Sequence, residues 1–176
     1  MAIARRVSSA FGVRRGEGAR VAALICHSLF NGVFAAFFLT AANALFLDRF
    51  EISYLPLAYI AAAAVGYLAV LLFSRLEKAV GVGALLVTNL ALLVALSGGF
   101  WFLAQTTGNK WVIFAMFVCV GPMFSLVALG YWGLAGRLFD LRQGKRLFGL
   151  VGAGEEVSTI AGLFSIPFIL KALAGV

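Results

Sequence analysis

Apolar residues run almost unbroken through five stretches of the chain, separated by short polar or charged breaks. The first covers residues 21–47 and ends at Asp48-Arg49-Phe50-Glu51. The second, 55–73, is closed by Ser74-Arg75-Leu76-Glu77-Lys78. A third runs over 81–104 to the polar segment Gln105-Thr106-Thr107-Gly108-Asn109-Lys110, and a fourth over 111–134. A basic loop, 136–146, leads into the fifth, 147–170. A helix needs about 20 apolar residues to cross the ~30 Å hydrocarbon layer, and each stretch supplies that length. Barrel strands would alternate apolar and polar residues over ~10 positions, which these runs do not. The pattern predicts an all-α polytopic transmembrane bundle of about five helices over 21–176, preceded by a basic cytoplasmic tail, 1–20.

Composition strengthens the membrane reading. Hydrophobic residues make up 63% and charged residues 12% of the 176 positions, and mean hydropathy is +1.04. A soluble domain carries about 25% charged residues because its surface must face water. Too little polar material is present to coat a globule, so one compact membrane domain is expected. The tail, with Arg5, Arg6, Arg14, Arg15 and Arg20, is followed by an apolar run too long for a signal-peptide core, so it is expected to stay uncleaved. Disorder is favoured there over a short amphipathic helix on the anionic leaflet.

The net charge of +7 changes the topology rather than the partner class. Lys and Arg resist translocation and collect on the cytoplasmic side. Alternate loops hold eleven and three of them, the eleven falling in the tail, at Arg75 and Lys78, and at Arg137, Arg142, Lys145 and Arg146. The N-terminus is therefore expected in the cytoplasm of a bacterial-type inner (plasma) membrane, and nucleic acid is not expected as a partner. Tyr54, Trp101, Trp111, Tyr131 and Trp132 lie near helix ends, where amphipathic rings favour the interface.

Candidate chemistry concentrates around the fifth helix. Glu155 and Glu156 interrupt an apolar run, and acidic residues inside membrane helices usually face protein or water. At 100° per residue, Gly149, Gly152, Glu155, Ser158, Thr159 and Gly162 share one arc, opposite Leu150, Val157, Ile160, Phe164 and Phe168. Two readings of Glu155 stand: a cavity-facing proton or substrate site, or a glutamate reaching the interface or paired with Arg142 or Arg146. Arg137, Arg142, Lys145 and Arg146 either attract phosphates or acidic headgroups or simply set topology. His27 and Asn31, one turn apart, are either a pore-facing pair or an interhelical hydrogen-bonding pair; Asn43, Thr88 and Asn89 are similar interhelical candidates. Gly121-Pro122 should kink or break the fourth helix. Cys26 and Cys119 lack partners at ligand spacing and read as small core residues. No catalytic set, metal site or cofactor motif is visible, so an enzyme is not expected.

The segment Phe139-Asp140-Leu141-Arg142-Gln143-Gly144-Lys145-Arg146-Leu147-Phe148-Gly149-Leu150-Val151-Gly152-Ala153-Gly154-Glu155 resembles the loop between helices four and five of the ATP/ADP-translocase-like branch of the major facilitator superfamily. That branch includes bacterial members fused to HEAT repeats or cyclic-nucleotide-binding domains. The motif spans 17 residues, and the helix plan and topology extend the likeness along the chain. The resemblance implies the N-terminal half of a twelve-helix transporter that moves nucleotides or another solute by alternating access. The family's Gly-, Asp- and Arg-rich loop after helix two is replaced here by residues 74–78, and a sixth helix is missing. The resemblance therefore implies a fragment, an assembly partner or a domain repurposed from transport. Expected partners are the bilayer and either other membrane chains or a missing second half. A non-transporting subunit that scaffolds or regulates a larger membrane complex is the alternative.

Reporter fusions test the topology. Those after Phe50 and Gly108 should report the outer side, and those after Lys78 and Arg142 the cytoplasm. A cytoplasmic report at Val176 would mean that the number of crossings is even.

Overall fold

The computed structural model describes residues 13–14, 16–79 and 82–174. Among them are five α-helices and no strand: α1 Gly18–Arg49, α2 Leu55–Ala79, α3 Val82–Thr107, α4 Lys110–Leu138 and α5 Leu141–Ala174, with a short 3-10 turn at Ile52–Tyr54 before α2. All five helices are long and apolar enough to cross a membrane, which marks the chain as an all-α, multi-pass membrane protein. The tail residues 1–12 and 15, and the side chains of Thr88 and Asn89, lie outside the described residues.

Local chemistry sets the helix ends. Gly108 takes φ +59 after α3, a left-handed conformation that glycine adopts without a Cβ penalty. Asn109 then caps α4, its Oδ1 accepting the Trp111 N–H at 3.0 Å. Pro56 occupies the first turn of α2, where its missing N–H costs no helical bond. α5 begins at Leu141, so Arg142, Lys145 and Arg146 lie on a helix and not in the expected loop. The cause is a capping box: the Gln143 N–H donates to Asp140 Oδ1 at 2.8 Å while the Asp140 N–H donates to Gln143 Oε1 at 3.0 Å. Nor does Pro122 break α4, which continues from Lys110 to Leu138. Beside the proline, the Ser125 hydroxyl donates to the Gly121 carbonyl at 3.0 Å.

The described chain divides into two compact units, with boundaries inside α1 and α4. One takes its residues from Phe38–Gly133. There the C-terminal part of α1 runs antiparallel to the start of α4, joined by stacked rings: Phe46 and Phe117 centroids lie 4.2 Å apart, and Phe50 meets Trp111 edge-on at 5.7 Å. Lys110 Nζ stands 5.6 Å over the Phe50 ring. In the same unit α2 and α4 run parallel, through Ala58 against Phe117, Gly66 near Pro122 and Phe73 against Leu126.

The other unit takes its residues from Met1–Phe37 and Leu134–Val176. In it α1 and α5 run parallel in one register, the seam positions of α1 meeting α5 positions 126 further along. Glu17 meets Gln143, Ser28 meets Gly154, Gly32 meets Ser158 and Ala36 meets Gly162. A Cβ on Gly32 would collide with the Ser158 hydroxyl and the Glu155 carbonyl, and one on Gly154 with the Ser28 hydroxyl. On Gly162 it would stand 2.7 Å from the Ala36 methyl. Thr159 Oγ1 donates across the seam to the Gly32 carbonyl at 3.3 Å. Lipid is as apolar as leucine, so membrane helices associate through such close contacts and hydrogen bonds. From Glu17 to Ala36 the seam covers ~28 Å of helix, close to the thickness of the hydrocarbon layer.

Gly32→Leu should destabilise the fold by about 1–3 kcal/mol or more, because the seam has no room for it. Gly149→Ala, where an added Cβ meets nothing within 4 Å, should be neutral or gain about 0.5–1 kcal/mol of helix propensity. Reversible unfolding in bilayers or mild detergent measures both.

Candidate functional site

Glu17 gathers the polar groups at the start of the α1–α5 seam. Its carboxylate accepts two bonds from Arg146 Nη2, at 2.6 and 2.8 Å, and one from Gln143 Nε2 at 3.0 Å. The Arg14 backbone N–H adds a fourth at 2.9 Å. Glu17 itself is 9% exposed, and the Arg146 side chain is 26% exposed. Gln143 serves both helices: its side-chain oxygen caps α5 while its amide N–H holds Glu17. The Arg14 N–H, followed by the Gln143 and Arg146 side chains, holds the Glu17 carboxyl below the usual glutamate range against the opposing effect of burial.

This arrangement decides where the predicted basic residues go. Arg146 pairs with Glu17 rather than with Glu155, while Arg142, Lys145 and Arg137 are exposed. Arg142 borders a shallow pocket of about 650 Å³ that Asp140 also lines, so one charge of each sign faces it. An anion gains little there.

Glu155 lies nine residues beyond Arg146 on α5, roughly 14 Å deeper along the axis. It is half-buried and Glu156 is exposed; among the described residues neither carboxylate has a hydrogen bond or salt bridge. Glu155 contributes its backbone to the seam, its carbonyl accepting from Thr159 Oγ1 at 2.8 Å and Ser158 Oγ at 3.1 Å. The small-and-polar arc read from the sequence therefore splits. Ser158, Thr159 and Gly162 pack against α1, Glu155 sits at the border, and Gly149 faces open space.

On α1, Asn31 is buried at 8% exposure, and its Nδ2 makes no hydrogen bond among the described residues. His27 is half-buried one turn earlier. Asn43 is no interhelical bond-maker here: its amide donates to Leu39 of its own helix at 2.7 Å. Cys26 is exposed and Cys119 half-buried, so the expected core role fails for Cys26. Among the described residues no group of three or more His, Cys, Asp or Glu could hold a metal ion.

Sequence reasoning missed Glu17 and Gln143. The signals were present, since Glu17 is the first acidic residue of the chain and Asp140-x-x-Gln143 is a capping-box spacing.

Because its folded-state pKa is depressed, ionised Glu17 contributes stability that is complete above the ordinary glutamate value, about 4.3, and lost as pH falls through the lower folded value. Stability should thus be level from pH 7 to about 5 and fall in acid. In Glu17→Gln the acid-dependent loss should shrink, with lower stability at neutral pH; an unchanged acid limb would exclude the clasp as its source.

No known family model, characterised protein or solved structure matches the chain.

Proposed function

We propose that this chain is a transporter-type helical domain of an inner (plasma) membrane, N-terminus in the cytoplasm, working with further membrane helices. The observation that carries the reading is the pair Glu155 and Glu156, placed within the α5 span with no carboxylate partner among the described residues. An acidic side chain near the bilayer centre costs about 2.5–3.5 kcal/mol on insertion scales, so it calls for water or a partner outside this chain. Half-buried at the edge of the α1–α5 seam, Glu155 is the better placed to meet a solute or proton. The likeness of residues 139–155 to the ATP/ADP-translocase-like branch supports the same reading, with a nucleotide or another solute as cargo. Orientation rests on the eleven-to-three distribution of basic residues.

A second reading has its own support. Ser158, Thr159 and Gly162 are spent on packing against α1, as expected of a non-transporting subunit that scaffolds or regulates a larger complex. The exposed apolar face of α5, with Val157, Ile160, Phe164 and Phe168, gives such a complex a surface to cover.

Glu155→Gln separates the two readings, because it removes charge and keeps shape. For transport, solute uptake in reconstituted vesicles should be abolished by Glu155→Gln and only reduced by Glu156→Gln, with membrane insertion preserved in both. For scaffolding, vesicles should show no uptake, and the two variants should alter the assembled mass instead. An active, strictly monomeric 18.7 kDa species would remove both readings.

A further inference from the structure

Seam positions follow two rows, Ser28, Gly32 and Ala36 on α1 and Gly154, Ser158 and Gly162 on α5. Each row has two flanks, one residue before it and one residue after it. The helices are parallel and turn 100° per residue in the same sense, so the flank before the α1 row shares a side with the flank after the α5 row. Burial agrees with this geometry. Leu29, Val33 and Phe37, after the α1 row, and Ala153, Val157 and Ala161, before the α5 row, are all exposed. On the opposite side Asn31 is 8% exposed, and His27, Glu155 and Thr159 are half-buried.

The register sets Asn31 level with position 157, so Glu155 and Thr159 stand about 3 Å before and after it along the axis. Glu155 is in turn roughly 14 Å beyond Arg146, near the middle of a ~30 Å hydrocarbon layer. At this depth Asn31 Nδ2 makes no hydrogen bond among the described residues, and neither does the Glu155 carboxylate. A buried amide N–H without a partner is costly. Thr159 Oγ1 has its proton committed to the Glu155 and Gly32 carbonyls and keeps only acceptor lone pairs.

A group that bonds all three must accept from the amide and donate to the carboxylate and the hydroxyl oxygen. Water does both, and about three polar partners is its usual number when buried. An ammonium or a metal ion has no lone pair for the amide N–H, and the carboxylate repels an anion. Turned to present its oxygen, the same amide would suit a cation, which is the rival occupant.

We propose that Asn31, Glu155 and Thr159 bind one water molecule inside the membrane, the water accepting from Asn31 Nδ2 and donating to the Glu155 carboxylate and Thr159 Oγ1. The site rests on the proposed function only for the depth of α5 in the bilayer, and water is then the partner that Glu155 requires there.

Solid-state NMR on the unmodified chain tests this. The protein, with isotope-labelled asparagine and glutamate, is reconstituted in bilayers of deuterated lipid, and magnetisation is transferred from water protons. The expected result is early transfer to both the Asn31 amide nitrogen and the Glu155 carboxyl carbon, unchanged when choline chloride replaces sodium chloride. Asn31→Leu keeps the side-chain volume and removes one partner of the water. Early transfer to Glu155 should then be lost while helicity, read by circular dichroism, is kept. No early transfer to either group in the unmodified chain, undiminished transfer to Glu155 in Asn31→Leu, or signals that move with sodium would overturn the assignment. Uptake is read separately, so a chain that holds the water and moves no solute loses the transport reading and keeps this site.

Discussion

The structure of the unit that pairs α1 with α5 depends on how closely two parallel helices approach. Gly32, Gly154 and Gly162 each leave out a side chain where the opposite helix places a hydroxyl, a carbonyl or a methyl. In water such contacts would add to a hydrophobic drive, but in lipid that drive is absent and short-range packing with hydrogen bonds must replace it. Once α1 and α5 are in this register, Glu17 stands opposite Gln143 and Arg146, and Glu155 is fixed at the seam's border. A shift by one residue would rotate Ser28 and Gly32 off the seam by 100°.

Pairing directions agree with a chain that crosses a membrane repeatedly. Helices two crossings apart must be parallel, as α2 and α4 are, and so must helices four apart, as α1 and α5 are. Helices three apart must be antiparallel, as α1 and α4 are where Phe46 and Phe50 meet Phe117 and Trp111. Those rings also gather at the ends of their helices, where Trp111 and Tyr54 were expected to favour the interface.

Helix number was legible in the sequence because 20-residue apolar runs have few other solutions in a chain this poor in charge. Residues 136–146 misled, since the capping box that starts α5 at Leu141 is a local hydrogen-bond arrangement that a density of Lys and Arg conceals. The arc containing Glu155 was also legible, but not its use. Periodicity places Ser158 and Gly162 on one face without saying whether that face meets a helix or a cavity, and only the positions of Ser28, Gly32 and Ala36 decide it. Among the carboxylates, Arg146 was read only as a partner for Glu155, and its pairing with Glu17 depends on a register that no single stretch encodes.

The constant spacing of 126 residues along the seam has a consequence for biogenesis. α1 emerges from the ribosome before α5, with Ser28, Gly32 and Asn31 on its surface, yet the surface that covers the Ser28–Gly32 stripe is not made until 126 residues later. At roughly 5–20 residues per second, that interval is on the order of ten seconds. During it the polar stripe of α1 lies in the insertion machinery or the bilayer without its partner helix, and the Glu17 carboxylate waits for Gln143 and Arg146. The α1–α5 seam of this unit is thus a contact of long sequence separation, which can close only after both helices have been made.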